Sequence, residues 1–76
     1  MNNQRRQYLK NIRISIAEIM ADIEAVRDEE QNSYDSLTEG WKDSERGQAM
    51  LDAIENMELA FETLEEAQGY LEEAEQ

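Results

Sequence analysis

Carboxylates are the only chemically reactive side chains that are numerous in this 76-residue chain. Nineteen Asp and Glu residues stand against seven Lys and Arg residues, and the chain has no His and no Cys. It therefore lacks the commonest general base and metal ligand, and it can form neither a disulfide nor a thiolate ligand. Carboxylates alone leave three uses: acid–base catalysis, binding of a hard metal ion, or an anionic surface that attracts a basic partner.

The carboxylates are concentrated in the last third of the chain. Residues 48–76 hold nine of them and no Lys or Arg, whereas residues 1–13 hold four bases and no acid. A solvated helix ordinarily mixes the signs of its charges, because opposite charges four residues apart stabilise it. This segment accepts repulsion between like charges instead. Two interpretations stay open: an outer face that only keeps the protein soluble, or an anionic surface selected for binding.

Neither catalysis nor a metal site is expected from these residues. Di-metal helical bundles combine Glu ligands with a Glu-x-x-His motif, which a chain without His cannot supply. No Gly-rich loop is present to hold a phosphate, and a pair of helices offers no evident substrate pocket. We therefore expect a non-enzymatic protein with no catalytic residue, no cofactor and no metal ion.

The spacing of apolar residues predicts two long helices. In the first half, steps of three and four residues connect Leu9, Ile12, Ile16, Ile19, Ile23 and Val26. In the second half, the same steps connect Met50, Ile54, Met57, Phe61, Leu64, Gln68 and Leu71. These heptad patterns are typical of helices packed along a seam. Because Ile19 and Phe61 lie at the centres of the predicted seams, we expect an Asp at either position to unfold the protein.

The predicted fold is all-α: one domain, residues 1–76, forming an antiparallel two-helix hairpin that resembles a coiled coil. The first helix is expected over residues 3–36, a turn over 37–43 and the second helix over 44–75. Gly40 is expected to end the first helix by adopting a positive φ, and Asp43 or Ser44 to cap the second. Antiparallel pairing would bring the basic N-terminal segment beside the acidic C-terminal one.

A hairpin of this size has a thin core, which predicts self-association. Several apolar side chains fall outside the predicted seams: Tyr8, Ile14, Met20, Leu51, Leu59 and Tyr70. A homodimer that forms a four-helix bundle would bury some of them. A monomer that uses them to contact another protein is the competing explanation.

The candidate binding surface is one face of the second predicted helix. Its carboxylates are Glu55, Glu58, Glu62, Glu65, Glu66, Glu72 and Glu73. Successive helical turns place such groups roughly 5–10 Å apart, comparable with neighbouring phosphates of a nucleic acid. The expected partner is a basic nucleic-acid-binding protein. Direct binding to nucleic acid or to a membrane is not expected, because both surfaces are anionic. Trp41 is a further candidate contact, either as an exposed anchor or as an aromatic ring that covers the end of the helix pair.

Two blocks of the chain resemble a known group of proteins. Arg27-Asp28-Glu29-Glu30-Gln31 and Ser44-Glu45-Arg46-Gly47, followed by Met50, Ala53-Ile54 and repeated Glu-Ala pairs, resemble small acidic helical-hairpin proteins of bacterial phages and integrated mobile elements. The resemblance covers about residues 4–75, and its most specific part is the Ser-Glu-Arg-Gly block. That group often has a Pro in the turn, where this chain has Thr38.

The resemblance implies a phage or mobile-element setting. By analogy with anti-restriction and anti-CRISPR proteins, it suggests an inhibitor that mimics DNA and blocks a host or defence protein that binds nucleic acid. The alternative is a small structural, assembly or adaptor hairpin that uses its apolar residues for protein–protein interaction. No apolar run approaches ~18 residues and no signal peptide is expected, so we expect the cytoplasm of a bacterial host.

Overall fold

Two long antiparallel helices and one short connecting helix form the whole molecule. The computed structural model describes all 76 residues: α1 spans Asn3–Asp35, α2 spans Glu39–Lys42 and α3 spans Glu45–Glu75. α1 and α3 pack against each other along a rod that measures 58 × 15 × 12 Å. The all-α helical hairpin that the heptad patterns predict is confirmed, while α2 is a feature that the sequence did not reveal.

Both long helices begin with a side-chain cap. The side-chain oxygen of Asn2 accepts a hydrogen bond from the backbone N–H of Arg5 (2.8 Å), and Ser44 Oγ accepts one from Gly47 (3.3 Å). Such caps satisfy amide groups that have no partner within the first turn of a helix. Ser44 is one of the two N-caps that the sequence suggested.

The prediction that Gly40 ends the first helix is wrong. α1 already ends at Asp35, where Ser36 keeps a right-handed conformation and its hydroxyl donates to the carbonyl oxygen of Asn32 (2.9 Å). Gly40 lies inside α2, and no residue of the chain has a positive φ. The chain reverses its direction through α2, so it needs no left-handed residue.

The seam of α3 follows the predicted pattern. Every predicted seam residue of this helix is buried or half-buried: Met50, Ile54, Met57, Phe61, Leu64, Gln68 and Leu71. Ile54 is the most buried of them, with 4% of its surface exposed. Ala53 and Ala67 are half-buried beside this seam, whereas Ala60 and Ala74 are exposed.

The seam of α1 differs from the prediction in its C-terminal half. Ile19 and Val26 are exposed, and their places are taken by Met20, which is 9% exposed, and by the half-buried Arg27. Two neighbouring apolar stripes run along α1, and strict heptad spacing assigns Ile19 and Val26 to the packed stripe although they belong to the exposed one. Since Ile19 is 52% exposed, Asp at this position would bury no charge within a single hairpin, so the reason given for the predicted unfolding does not hold there.

The hairpin is closed at one end by a close backbone approach at Gly47. This residue is buried, and a Cβ atom placed on it would lie against the carbonyl oxygens of Lys42 and Trp41, 2.6 Å from the latter. The end of α2 therefore rests directly on the first turn of α3. Lys42 also places its ammonium group over the ring of Tyr34, 5.5 Å from the centroid, which connects α2 to the end of α1.

Gly47→Ala should destabilise the protein by about 1–3 kcal/mol, because the added methyl group must push α2 away from α3. Gly69 provides a matched control, since it is also helical but has nothing within 4 Å of an added Cβ. Gly69→Ala should stabilise the protein by about 0.5–1 kcal/mol through the better helix propensity of Ala. Urea unfolding followed by circular dichroism measures both changes. Equal effects of the two substitutions would contradict the close approach.

Candidate functional site: the acidic face of α3

Seven exposed carboxylates occupy one face of α3. They are Glu55, Glu58, Glu62, Glu65, Glu66, Glu72 and Glu73, called here the acidic face. At 100° per residue they fall within an arc of about 120°, and from Glu55 to Glu73 they cover about 27 Å of helix. All seven predicted carboxylates thus share one exposed surface.

Helix α1 adds carboxylate to the same side of the hairpin. Glu24 lines one stretch of the groove between the helices together with Glu58 and Glu62, and a neighbouring stretch together with Glu65. Sequence reasoning missed Glu24, because only the second helix was considered as the anionic surface. The available signal was its position directly after Ile23, at the edge of the packed seam of α1.

Arg27 is a fixed cation at the margin of the acidic face. Its guanidinium donates from Nη1 to Asp28 Oδ1 (3.0 Å) and from Nη2 to Glu58 Oε1 (3.2 Å). The hydrogen bonds to Asp28 and Glu58, in that order, raise the pKa of Arg27 above its ordinary value, so it stays charged. Glu58 is therefore partly neutralised, and the strongest uncompensated charge lies beyond it, toward the C-terminus.

The open end of the hairpin is held by a small polar cluster. Arg13 Nη2 pairs with Glu75 Oε2 at 2.6 Å, and Gln68 Nε2 donates to the backbone carbonyl oxygen of Arg13 at 2.8 Å. Of the four N-terminal bases that were expected to pair with the C-terminal acids, only Arg13 does so. Glu72 and Glu73 consequently remain exposed without an ion-pair partner.

Trp41 is separated from the acidic face. It lies in α2 and is 59% exposed, so more than half of its surface is open to solvent. α3 begins next to α2, at Glu45. Glu55, the first carboxylate of the acidic face, lies ten residues, or about 15 Å, further along α3. Trp41 and the carboxylates would therefore contact different parts of a partner.

The arrangement is suited to attracting positive charge over an extended surface. No three of its carboxylates converge closely enough to hold a metal ion. No helix carries an apolar stretch that could cross a lipid bilayer. Each exposed ion pair contributes only about 0–1 kcal/mol in water, so binding by such a face depends on many simultaneous contacts.

Comparison with known proteins identifies no relative: no family model, curated protein or solved structure matches the chain.

The melting temperature should rise as NaCl is increased from low to moderate concentration. Carboxylates repel one another along α3, and salt screens that repulsion with a Debye length of about 10 Å at 0.1 M. Only two ion pairs join α1 to α3, so their loss on screening should be the smaller effect. Thermal unfolding followed by circular dichroism measures the trend.

A variant with Glu62, Glu65 and Glu66 all changed to Gln controls for effects of salt that are unrelated to charge on this face. Its melting temperature should be higher than that of the unmodified protein at low salt, and it should respond less to added NaCl. A melting temperature that falls steadily with salt would show that the ion pairs dominate instead.

Proposed function

We propose that the protein is a non-enzymatic inhibitor of a basic nucleic-acid-binding protein. Its acidic face would occupy the groove in which the target otherwise holds DNA or RNA. The resemblance to small acidic hairpin proteins of phages and mobile elements suggests the setting, the cytoplasm of a bacterial host. It also suggests the class of target, a host or defence protein of the kind that anti-restriction and anti-CRISPR proteins block.

The observation that carries this proposal is the density of uncompensated charge on one exposed surface. The six carboxylates other than Glu58, which pairs with Arg27, correspond to one negative charge per ~4.5 Å of the 27 Å, comparable with the ~3.4 Å of helix axis per phosphate of one DNA strand. No Lys or Arg of α3 follows Arg46, so nothing on the helix itself reduces this charge. Glu24 widens the anionic surface toward α1.

The shape of the molecule supports the same use. The hairpin is a rod 15 Å across at its wider cross-section, and the acidic face projects from one side of it without a covering loop. The face is therefore open along its length to a basic groove that otherwise accepts a nucleic-acid helix. Binding would release counterions from both surfaces, so affinity should fall steeply as salt rises.

The alternative function is that of an adaptor or assembly module. The observation that favours it is the number of large apolar side chains left exposed by the hairpin, among them Tyr8, Ile19 and Tyr70. In this case the partner would contact apolar residues, and the carboxylates would only keep the protein in solution. Partner binding would then be insensitive to salt.

In both cases we propose that the protein acts as a homodimer in which two hairpins form a four-helix bundle.

Charge reversal on the acidic face should abolish binding if the carboxylates replace a nucleic acid. The test variant changes Glu55, Glu62, Glu65 and Glu66 to Lys and keeps Glu58, whose carboxylate accepts a hydrogen bond from Arg27. The control changes four exposed acids elsewhere to Lys, with the same change in net charge: Glu18, Asp22, Glu29 and Asp52. Each protein is used to capture partners from a bacterial extract at low and high salt, and the captured proteins are identified by mass spectrometry.

The proposal expects a basic nucleic-acid-binding protein that is captured at low salt, lost at high salt and displaced by added duplex DNA or RNA. The control variant should still capture it, and the test variant should not. Partners that resist high salt, lack a basic groove and bind both variants equally would favour the adaptor function and contradict the inhibitor.

A further inference from the structure

The side of the hairpin opposite the acidic face carries few charges: Asp22 lies at its margin, and Glu30 and Arg46 lie near the turn. The groove on the acidic side is lined by Ala17, Ala21 and Glu24 of α1 and by Glu62 and Glu65 of α3. At 100° per residue, the stripe of α1 on the other flank of its seam holds the exposed Tyr8, Ile19 and Val26 and the half-buried Ile12, with Ser15 and Asp22 beside them. The matching flank of α3 holds Ala49, Ala53, Ala60, Leu64, Ala67, Leu71 and Ala74. Together these two stripes are called here the apolar face.

We infer that the apolar face binds a second copy of this chain, with the α1 stripe of one copy against the α3 stripe of the other. This inference rests on the proposed homodimer and does not depend on the proposed target. It differs from the sequence prediction in the residues involved, because Ile14 lies on the acidic side of the hairpin, where it lines a groove with Lys10, Arg13 and Gln68.

The apolar face is long enough to join two hairpins over about half of their length. Its stripes run from Tyr8 to Val26 and from Ala49 to Ala74, about 27 and 37 Å of helix, on a rod 58 Å long. The hairpin also needs such a contact, since its only buried apolar side chains are Met20 and Ile54.

The distribution of charge permits another copy as the occupant. The chain carries a net charge of −12, so two copies repel each other wherever their acids approach. Association through the apolar face places both acidic faces on the outside of the four-helix bundle, as far apart as the bundle allows. Among the residues of the α3 stripe there is no charged side chain, although 34% of the residues in the chain are charged.

The sizes of the side chains determine which helices meet. The α1 stripe carries Tyr, Ile and Val, whereas the α3 stripe is mostly Ala. Large side chains pack closely against small ones across an interface, because the knobs of one helix enter the spaces of the other. A twofold axis along the length of the rod brings each α1 over the partner's α3 and leaves both turns at the same end.

Sedimentation equilibrium tests the surface with two matched variants. Ile19 and Ile14 are 52% and 53% exposed on the same helix, but only Ile19 lies on the apolar face. The unmodified protein and Ile14→Glu should sediment at about twice the 8.9 kDa of one chain, and Ile19→Glu at the mass of one chain. Circular dichroism of each sample reports whether the helices remain.

Each result decides the inference. A monomeric unmodified protein overturns both the homodimer and the face, while a dimer that persists in Ile19→Glu overturns the face alone. Loss of the dimer in both variants also overturns it. If Ile19→Glu is monomeric, with or without loss of helix, while Ile14→Glu stays a folded dimer, the face is supported, since the two positions are equally exposed in one hairpin. None of these results depends on whether a target is found.

The absence of Cys allows a direct test of the arrangement. Ile19→Cys mixed with Ala67→Cys under oxidising conditions should give a disulfide-linked heterodimer, and Ile19→Cys alone should give none. A linked Ile19→Cys homodimer would place α1 over α1 and overturn the arrangement. Absence of any linked product from the mixture would overturn it as well.

Discussion

Packing of α3 against α1 is the interaction on which the other features of the molecule depend. In proteins, a helix gains most of its stability from burying one face against another element rather than from its own propensity. The contact is narrow, with Met20 and Ile54 as its only buried apolar side chains. Its two ends are therefore reinforced by other means: by backbone contact at Gly47, and by the polar cluster of Arg13, Gln68 and Glu75.

The same contact separates the surface of the hairpin into two chemically different sides. Viewed from its own N-terminus, each helix has one flank that lies clockwise of its seam. In an antiparallel pair, the two clockwise flanks lie on the same side of the hairpin. The acids of α3 thus share a side with Glu24 and Arg27, whereas its alanines share the other side with Ile19 and Val26. A rotation of either helix by 100°, the angle of one residue, would mix acidic and apolar residues on both sides and remove both candidate surfaces.

The sequence predicted the architecture and the exposure of the acids, but it misassigned two of the six seam residues of α1, Ile19 and Val26. Periodicity could locate the seam of α3, because its two flanks differ sharply, one in acid and the other in Ala. On α1 an exposed apolar stripe lies beside the packed one, and apolarity alone cannot distinguish them. Arg27 was not recognised as a seam residue because it is charged, although its aliphatic stem packs while its guanidinium reaches Glu58. Gly40 was misread because a short helix can reverse a chain without a positive φ.

The spacing of the contacts along the chain also sets an order in which the hairpin can close at low entropic cost. Gly47 meets residues only five and six positions before it, Arg27 meets a residue 31 positions away, and Arg13 meets one 62 positions away. Each contact shortens the free segment that the next one must close, so the entropy of loop closure is lost in small steps. The hairpin can therefore form from its turn toward its termini, and opening in the reverse order would begin where the chain ends.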